Sequence, residues 1–427
     1  MTAHFAEKSI AEAALARAFK AAPHLSRSAR RMAAFSRFEQ LGLPTRRNEW
    51  WHYTDLRAAM REAAPLAPTP DHPTIEAARE LLQARKPIGA GRVVLVNGVL
   101  VGALCQGLPA GVVFQQKELP SADIDDPMVA LNEAMSLDAG VLHVADGAAL
   151  ADPVEIVHLT AGSRRQATYS RLAIAVGADA KADFVEVFIG ATAGVQRNAS
   201  AFLSLGADAK VRHVAMLDDQ AELHVESHTI QLAARAELNA FALVAGGALT
   251  RRQLFVRLAG EDAKIALGGL ALIDDSRRAD TTLQVNHKAT GGTSREFFRA
   301  IVDDEGVGVF QGKIIVEKAA QKTDGSMKSQ AILLSPKAQM NAKPELEIFA
   351  DDVACGHGAT IGSLDPEQLF YLQARGIPRA EAESMLLEAF GGEAIDRIEE
   401  RRLIEPLRAS FVAWLAMGRG KPTRAPK

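Results

Sequence analysis

Residues 177–181 read GADAK, and the same short turn returns as GADAK at 206–210, AARAE at 233–237 and GEDAK at 260–264. The four copies begin 29, 27 and 27 residues apart. Each is followed by a run of apolar, partly β-branched residues, which is typical of a β-strand. A small turn followed by an apolar strand at a fixed period predicts a repeat architecture, in which each unit buries its apolar face by stacking on the next.

The length of the period separates the possible repeat architectures. Helical repeats need amphipathic helices of about a dozen residues, and the apolar runs here are shorter and rich in Val and Ile. Propeller blades take about 40 residues and more aromatic positions, whereas only 5% of this chain is aromatic. The pattern therefore favours a mainly β protein with a parallel β-helix over residues 141–362, which holds roughly eight coils at this period.

The residues before the β-helix predict a mainly helical region over 1–140. Ala and Leu recur there at three- and four-residue spacing among charged residues, as in amphipathic helices. A strand pair is predicted at 92–101, where Asn97 and Gly98 have the residue types that favour a two-residue hairpin turn. This part is expected to form a small α+β head.

The residues after the β-helix predict a helical region over 363–417 and a basic, disordered tail over 418–427. Three helices are expected, the second of which ends at Gly391 and Gly392. Six apolar side chains form a surface that such short helices cannot entirely bury on one another, as at partner sites, although packing onto the last coil is the alternative. These six are Leu369, Tyr371, Leu372, Met385, Leu386 and Phe390.

The composition excludes several classes of partner. There are 49 Lys and Arg against 52 Asp and Glu, so no basic excess attracts nucleic acid or an anionic membrane. No stretch approaches the roughly 20 apolar residues of a membrane span, and the first residues lack a secretory signal. Two cysteines make no disulfide framework and fit a reducing compartment, so we expect a cytoplasmic protein. Phosphate-binding glycine motifs are absent, so no bound nucleotide is expected.

Residues 351–362, DDVACGHGATIG, carry the strongest functional signal. Cys355 and His357 lie two residues apart, so on a strand they share a face. A thiolate and an imidazole suit iron, zinc or an iron–sulfur cluster. Closed sites usually take four protein ligands, so the rest would come from distant residues, a second subunit or inorganic sulfide. A buried cysteine beside a hydrogen-bonded histidine is the structural alternative.

Two other sets of possible ligands give weaker signals. His224 and His228 are four residues apart, but their segment alternates like a strand. Both are therefore expected on one solvent-exposed face, with Glu226 between them. Cys105 has no neighbouring ligand in the sequence and is expected to be a packing residue.

Several motifs resemble the SufB/SufD family of iron–sulfur cluster assembly proteins, and within it the SufD type. CGHGATIG at 355–362 and DPEQLFYLQARGI at 365–377 are the specific part of the resemblance. Gly358 follows the histidine, where SufB sequences typically carry an acidic residue. A further motif near the start comprises Arg47, Asn48, Glu49, Trp51, Tyr53 and Thr54.

The resemblance implies a right-handed parallel β-helix with helical ends, in agreement with the period counted above. It also implies a non-catalytic scaffold that works with a SufB-like paralogue and a SufC-like ABC ATPase, which would dock on the C-terminal helices. Iron or a transient cluster would be shared with SufB through His357, with Cys355 beside it. Exposed β-helix ends also make a homodimer plausible in isolation. The rival is a β-helix protein acting on acidic polysaccharide.

Overall fold

A computed structural model describes residues 8–136, 139–162 and 165–418. Residues 419–427, which hold nearly all of the expected basic tail, lie outside the described residues. The strands are β1 Gly91–Val96, β2 Val99–Leu100, β3 Val112–Gln116, β4 Ala139–Val144, β5 Val154–Leu159, β6 Gln166–Val176, β7 Lys181–Ile189, β8 Val195–Leu205, β9 Lys210–Leu217, β10 Leu223–Leu232, β11 Glu237–Val244, β12 Leu249–Leu258, β13 Lys264–Ile273, β14 Arg278–His287, β15 Thr293–Val302, β16 Val307–Val316, β17 Asp324–Leu333, β18 Gln339–Ile348 and β19 Ala354–Gly362. The α-helices are α1 Ile10–Lys20, α2 Pro23–Ser26, α3 Ala29–Leu41, α4 Leu56–Ala59, α5 His72–Gln83, α6 Pro127–Met135, α7 Pro366–Ala374, α8 Arg379–Asp396 and α9 Arg401–Gly418.

The strands from β4 onward alternate between two parallel sheets. The even-numbered strands form one sheet in the order β18 to β4, and the odd-numbered strands form the other in the order β19 to β5. Paired residues of successive coils are between 26 and 32 residues apart, as at β10 with β12 and at β16 with β18. Each coil thus contributes one strand to each sheet. The mainly β architecture and the parallel β-helix of about eight coils, predicted from the turn period, are confirmed.

The repeated turn forms one corner of the coil. Its third residue has φ between 55° and 60° in all four copies, namely Asp179, Asp208, Arg235 and Asp262. Aspartate tolerates this left-handed region better than most residues do. The backbone N–H of Asp208 donates to the carbonyl of Ala234, so the ladder continues through the corner. A Cβ on Gly260 would lie 2.0 Å from the nitrogen of Ala234, so this corner requires glycine.

The two ends of the solenoid differ. At the N-terminal end each sheet finishes with an antiparallel strand, β2 in the odd sheet and β3 in the even sheet. The predicted hairpin is confirmed, with Asn97 and Gly98 both at positive φ between β1 and β2. Because β1 also pairs in parallel with β5, the hairpin extends the odd sheet. At the C-terminal end the sheets finish with the parallel strands β18 and β19, which we call the open end.

N-terminal helices cover the outer face of the even sheet. Met128 and Leu131 of α6 pack against Leu223 and Val225 of β10 in one apolar cluster. The aromatic segment between α3 and α4 anchors this layer: the indole N–H of Trp51 donates to Asp126 at 2.9 Å. Both faces of the central even strands are therefore buried.

C-terminal helices cover the outer face of the odd sheet, where α8 contacts β13 and β15. The prediction that Gly391 and Gly392 end the second helix is wrong, because α8 continues to Asp396. A Cβ on Gly391 would lie 2.5 Å from the ring of Phe411, so this glycine lets α9 approach closely. Within the described ranges, no helix combines the length and the apolar character that crossing a membrane requires.

Candidate metal centre at the open end

Strand β19 is the last strand of the odd sheet and carries both predicted ligands. It pairs with β17 along one edge, and its other edge has no strand partner in the part of the chain that the structure describes. His357 is exposed and Cys355 is half-buried. The predicted donors therefore lie at an accessible edge of the protein.

The register places the two donors on one face. Cys355 is aligned with Gly325 and His357 with Met327, which is 1% exposed and belongs to the interior core. Residues two apart on a strand share a face. The thiol and the imidazole therefore both lie on the face that continues the interior of the solenoid beyond its last complete coil.

Burial raises the pKa of the Cys355 thiol, and the nearby carboxylates of Asp324 and Glu296 raise it further. The backbone N–H of Gly325 acts in the opposite direction. The thiol is therefore protonated at neutral pH, and a metal that binds there must displace its proton.

A buried carboxyl group lies below the open end. Leu267, Glu296, Met327 and His357 are aligned on successive odd strands. Glu296 is 2% exposed, and neither of its carboxyl oxygens has a hydrogen-bond partner of normal geometry among the described residues. Burial raises the pKa of Glu296 to about 8, so the group is largely neutral at pH 7. Sequence patterns alone do not single out this residue, although it lies 29 residues, one period, after the interior Leu267.

The six apolar residues expected to form a docking surface differ in exposure. Tyr371 is 55% and Met385 44% exposed, and Phe370 beside them is 72% exposed. The guanidinium of Arg299 lies 4.3 Å above the ring of Phe390, which is half-buried against the solenoid. The remaining three are covered to different extents: Leu369 is nearly buried, and Leu372 and Leu386 are half-buried.

The prediction for His224 and His228 is wrong. Both histidines and Glu226 are at most 4% exposed and face the interior, not solvent. The outer face of β10 carries Leu223 and Val225 under the N-terminal helices, so the polar residues of this strand face the other sheet. Cys105 is free, and burial raises the pKa of its thiol. Its sulfur accepts a hydrogen bond from the backbone N–H of Val94, in keeping with a packing role.

Comparison with known proteins gives the family. Residues 158–390, more than half of the chain, match the family described as SUF system FeS cluster assembly, SufBD core domain. The chain belongs to the SufBD family. The matched residues include strands β6 to β19, which carry Cys355 and His357 at their end, and most of α8.

Similarity to SufBD proteins extends beyond this core. The chain is 29% identical to the iron–sulfur cluster assembly protein SufD of Escherichia coli K12 over 383 residues, which cover 86% of this chain and 88% of that protein. It is 26% identical to an iron–sulfur cluster assembly SufBD family protein of Synechocystis sp. over 395 residues, which cover 86% and 87%. The resemblance inferred from the motifs, including the SufD type, is confirmed.

Proposed function

We propose that this SufBD protein is a non-catalytic scaffold subunit of an iron–sulfur cluster assembly complex, and that Cys355 and His357 supply ligands for iron or a nascent cluster. The main support is their position: a sulfur and a nitrogen donor share one face of a strand whose second edge has no strand partner among the described residues. Such a pair suits iron or a cluster but fills half of a closed site. The remaining ligands come from outside the chain.

The open end is the proposed meeting surface with a SufB-like paralogue. Both β18 and β19 present free backbone edges there among the described residues, and free strand edges are common pairing surfaces. A second subunit placed against them covers Cys355 and His357 and completes the ligand set. In the absence of the paralogue, a second copy of the chain uses the same surface, which yields a homodimer.

The C-terminal helices are the proposed docking region for a SufC-like ABC ATPase. Phe370, Tyr371 and Met385 expose apolar surface, and α8 is packed directly on β13 and β15. A movement of these helices is transmitted to the solenoid because the interface between them is apolar and closely packed. In this proposal the chain itself binds no nucleotide, the ATPase activity belongs to the partner, and the complex works in the cytoplasm.

In this proposal the N-terminal region 1–140 is a stabilising layer, residues 141–362 are the scaffold, residues 363–417 are the docking region and residues 418–427 are a tail.

The comparisons give no support to the polysaccharide alternative, since the family match and the relatives named above all concern cluster assembly.

Reconstitution with SufB- and SufC-type partners, ferrous iron, a sulfide donor and a reductant tests the open end. His357→Ala and Cys355→Ser are expected to reduce cluster formation, followed by visible absorption and iron content, while all three subunits still co-elute. His143→Ala is the matched control, because His143 is an exposed strand histidine at the opposite end. Unchanged cluster formation in both open-end variants would refute the assigned ligand role.

A further inference from the structure

A group of ionisable side chains lies buried between the two sheets in the middle of the solenoid. They project inward from β5, β7 and β9 of the odd sheet and from β10 and β12 of the even sheet. Each of them is at most 4% exposed. The group, called the interior cluster below, consists of His158, Glu186, His213, Glu226, His228 and Arg252.

Three imidazoles of the interior cluster converge on the Glu186 carboxylate. The Nε2 atom of His158 lies 2.7 Å from Oε1, and those of His213 and His228 lie 3.1 and 3.4 Å from Oε2. Glu186, His213 and His228 each offer one ligand atom within 4.8 Å of the others. Ligands at about 2.0–2.2 Å from a tetrahedral ion are roughly 3.3–3.6 Å apart. Small side-chain movements therefore suffice to enclose an ion.

Among the described residues, two atoms of the interior cluster have no hydrogen bond although they lie close to each other. His228 Nε2 lies 2.8 Å from Glu226 Oε1, but the direction of this contact is wrong for a hydrogen bond. Neither atom has another hydrogen-bond partner within the described ranges. Buried polar atoms are nearly always paired, so a ring nitrogen and a carboxylate oxygen that lie this close without a hydrogen bond are candidates for a common partner. A cation between them would be coordinated by both.

The surroundings of the interior cluster also suit a cation. His158 Nδ1 lies 3.1 Å from the hydroxyl of Ser170, and such an outer hydrogen bond orients a ligand imidazole. The Arg252 guanidinium donates to the far oxygen of Glu226 at 2.6 Å. Burial lowers the pKa of His228, but the Glu226 and Glu186 carboxylates outweigh it and raise that pKa to about 9, so a cation that binds there must displace the His228 proton. Once it has, two carboxylates face one guanidinium, which favours the cation.

We propose that Glu186, His213 and His228 bind a divalent first-row transition metal, ferrous iron or zinc, with His158 or Glu226 as a further ligand. Two imidazoles and a carboxylate are a donor set that these ions accept, whereas calcium and magnesium prefer oxygen alone. This interior site is separate from Cys355 and His357 and does not depend on the function proposed for them.

The ligands of the interior site are shielded from solvent, because Glu186, His213 and His228 are each at most 4% exposed. A cavity of about 20 Å³ is lined by Arg252 of the interior cluster and by Ser329 and Met340 of the last two coils. That volume holds about one water. The ion therefore enters during folding or through transient opening, and it exchanges slowly with chelators.

The proposal is tested by measuring the metal content of the Cys355→Ser, His357→Ala double variant. This variant lacks the proposed ligands at the open end, so metal that it retains is bound elsewhere. The full chain is unfolded with chelator, refolded with cobalt(II), iron(II) or zinc, and passed through a desalting column. We expect about one equivalent of retained metal, a visible cobalt spectrum of four- or five-coordinate type, and nitrogen and oxygen but no sulfur neighbours in X-ray absorption. In that background Glu186→Gln and His213→Gln are expected to weaken binding at least about 100-fold, and Ser170→Ala about tenfold.

His224→Gln is the matched control. His224 is equally buried on the same strand as His228, but its imidazole contacts Arg197 and Phe188 and lies outside the interior cluster. This variant is expected to retain one equivalent.

Three results would overturn the proposal: no retained metal in the open-end background, sulfur ligation, or equal retention by His213→Gln. If the ligand variants fail to fold, the test is the melting temperature of the metal-free Cys355→Ser, His357→Ala protein before and after metal is added. Metal that binds the folded state must raise this temperature. A melting temperature that metal leaves unchanged would also overturn the site.

Discussion

Replacing Glu296 with glutamine tests how strongly one buried carboxyl group links the stability of the protein to pH. The side chain is 2% exposed and lies between Leu267 and Met327 of the neighbouring coils. Burial raises its pKa from 4.5 to about 8. The folded chain therefore keeps this proton in a pH window where the unfolded chain has lost it. Its contribution to stability is complete below about pH 4.5 and is lost as the pH rises through about 8.

The size of the effect follows from that window. One pH unit corresponds to about 1.4 kcal/mol, so the free energy of unfolding falls by roughly 5 kcal/mol across it. Glutamine has nearly the same shape and carries no charge. The variant is therefore expected to gain roughly 4 kcal/mol relative to the unmodified chain between about pH 5 and about pH 8.

Urea unfolding followed by circular dichroism, repeated from about pH 5 to about pH 9, measures this difference. Equal denaturant slopes for the two proteins are needed for the comparison. Glu388→Gln is the control, because Glu388 is exposed on α8. Parallel stability curves for the unmodified chain and Glu296→Gln would refute the reasoning.

Three further predictions concern other parts of the molecule. Asp280→Asn leaves the buried guanidinium of Arg251 without its anion and is expected to lower the free energy of unfolding by about 3–5 kcal/mol in urea; a loss below about 1 kcal/mol would contradict this. Asp208→Val forces a β-branched residue into φ 60° and is expected to cost about 1–2 kcal/mol, whereas Asp208→Gly should stay within about 0.5 kcal/mol. Met385→Glu is expected to weaken equilibrium binding of a SufC-type ATPase at least about tenfold with an unchanged melting temperature; equal weakening by Ile10→Glu, an exposed apolar residue on α1, would argue against a specific docking surface.

The fold could be predicted from sequence because its corner has a strict local requirement. The third residue of the turn has a left-handed φ, and a Cβ on its first residue can meet the backbone of the neighbouring coil. Both positions therefore favour a few residue types. Four successive coils therefore carry a recognisable copy of the turn, and the third copy shows that Ala233 and Arg235 are also accommodated. The shared face of Cys355 and His357 followed from strand alternation for a similarly local reason.

The interior polar residues could not be located in this way. Alternation shows which residues of β10 share a face, but it does not show which face is inside. Helices cover the outer face, so apolar residues such as Val225 point outward and Glu226 points inward. The partners of Glu226 in the interior cluster come from other strands, and only the register between coils brings them together. Likewise, Gly391 lies inside α8 because it allows α9 to pack closely against it. Sequence rules for helix ends do not include such a tertiary contact.

The difference between the two ends limits how large an assembly can grow. One end of the rod finishes with the two-residue strand β2 and the five-residue strand β3, whereas β18 and β19 offer ten and nine residues at the other end, and very short edge strands are poor pairing surfaces. A rod that can join others at both ends forms filaments, but a rod with one joining end stops when two such ends have met. Pro344 in β18 lacks a backbone donor at that end, which further restricts indefinite sheet growth. The proposed contact through the open end therefore yields a closed pair, so the proposed ligands Cys355 and His357 can remain accessible there without leading to polymerisation.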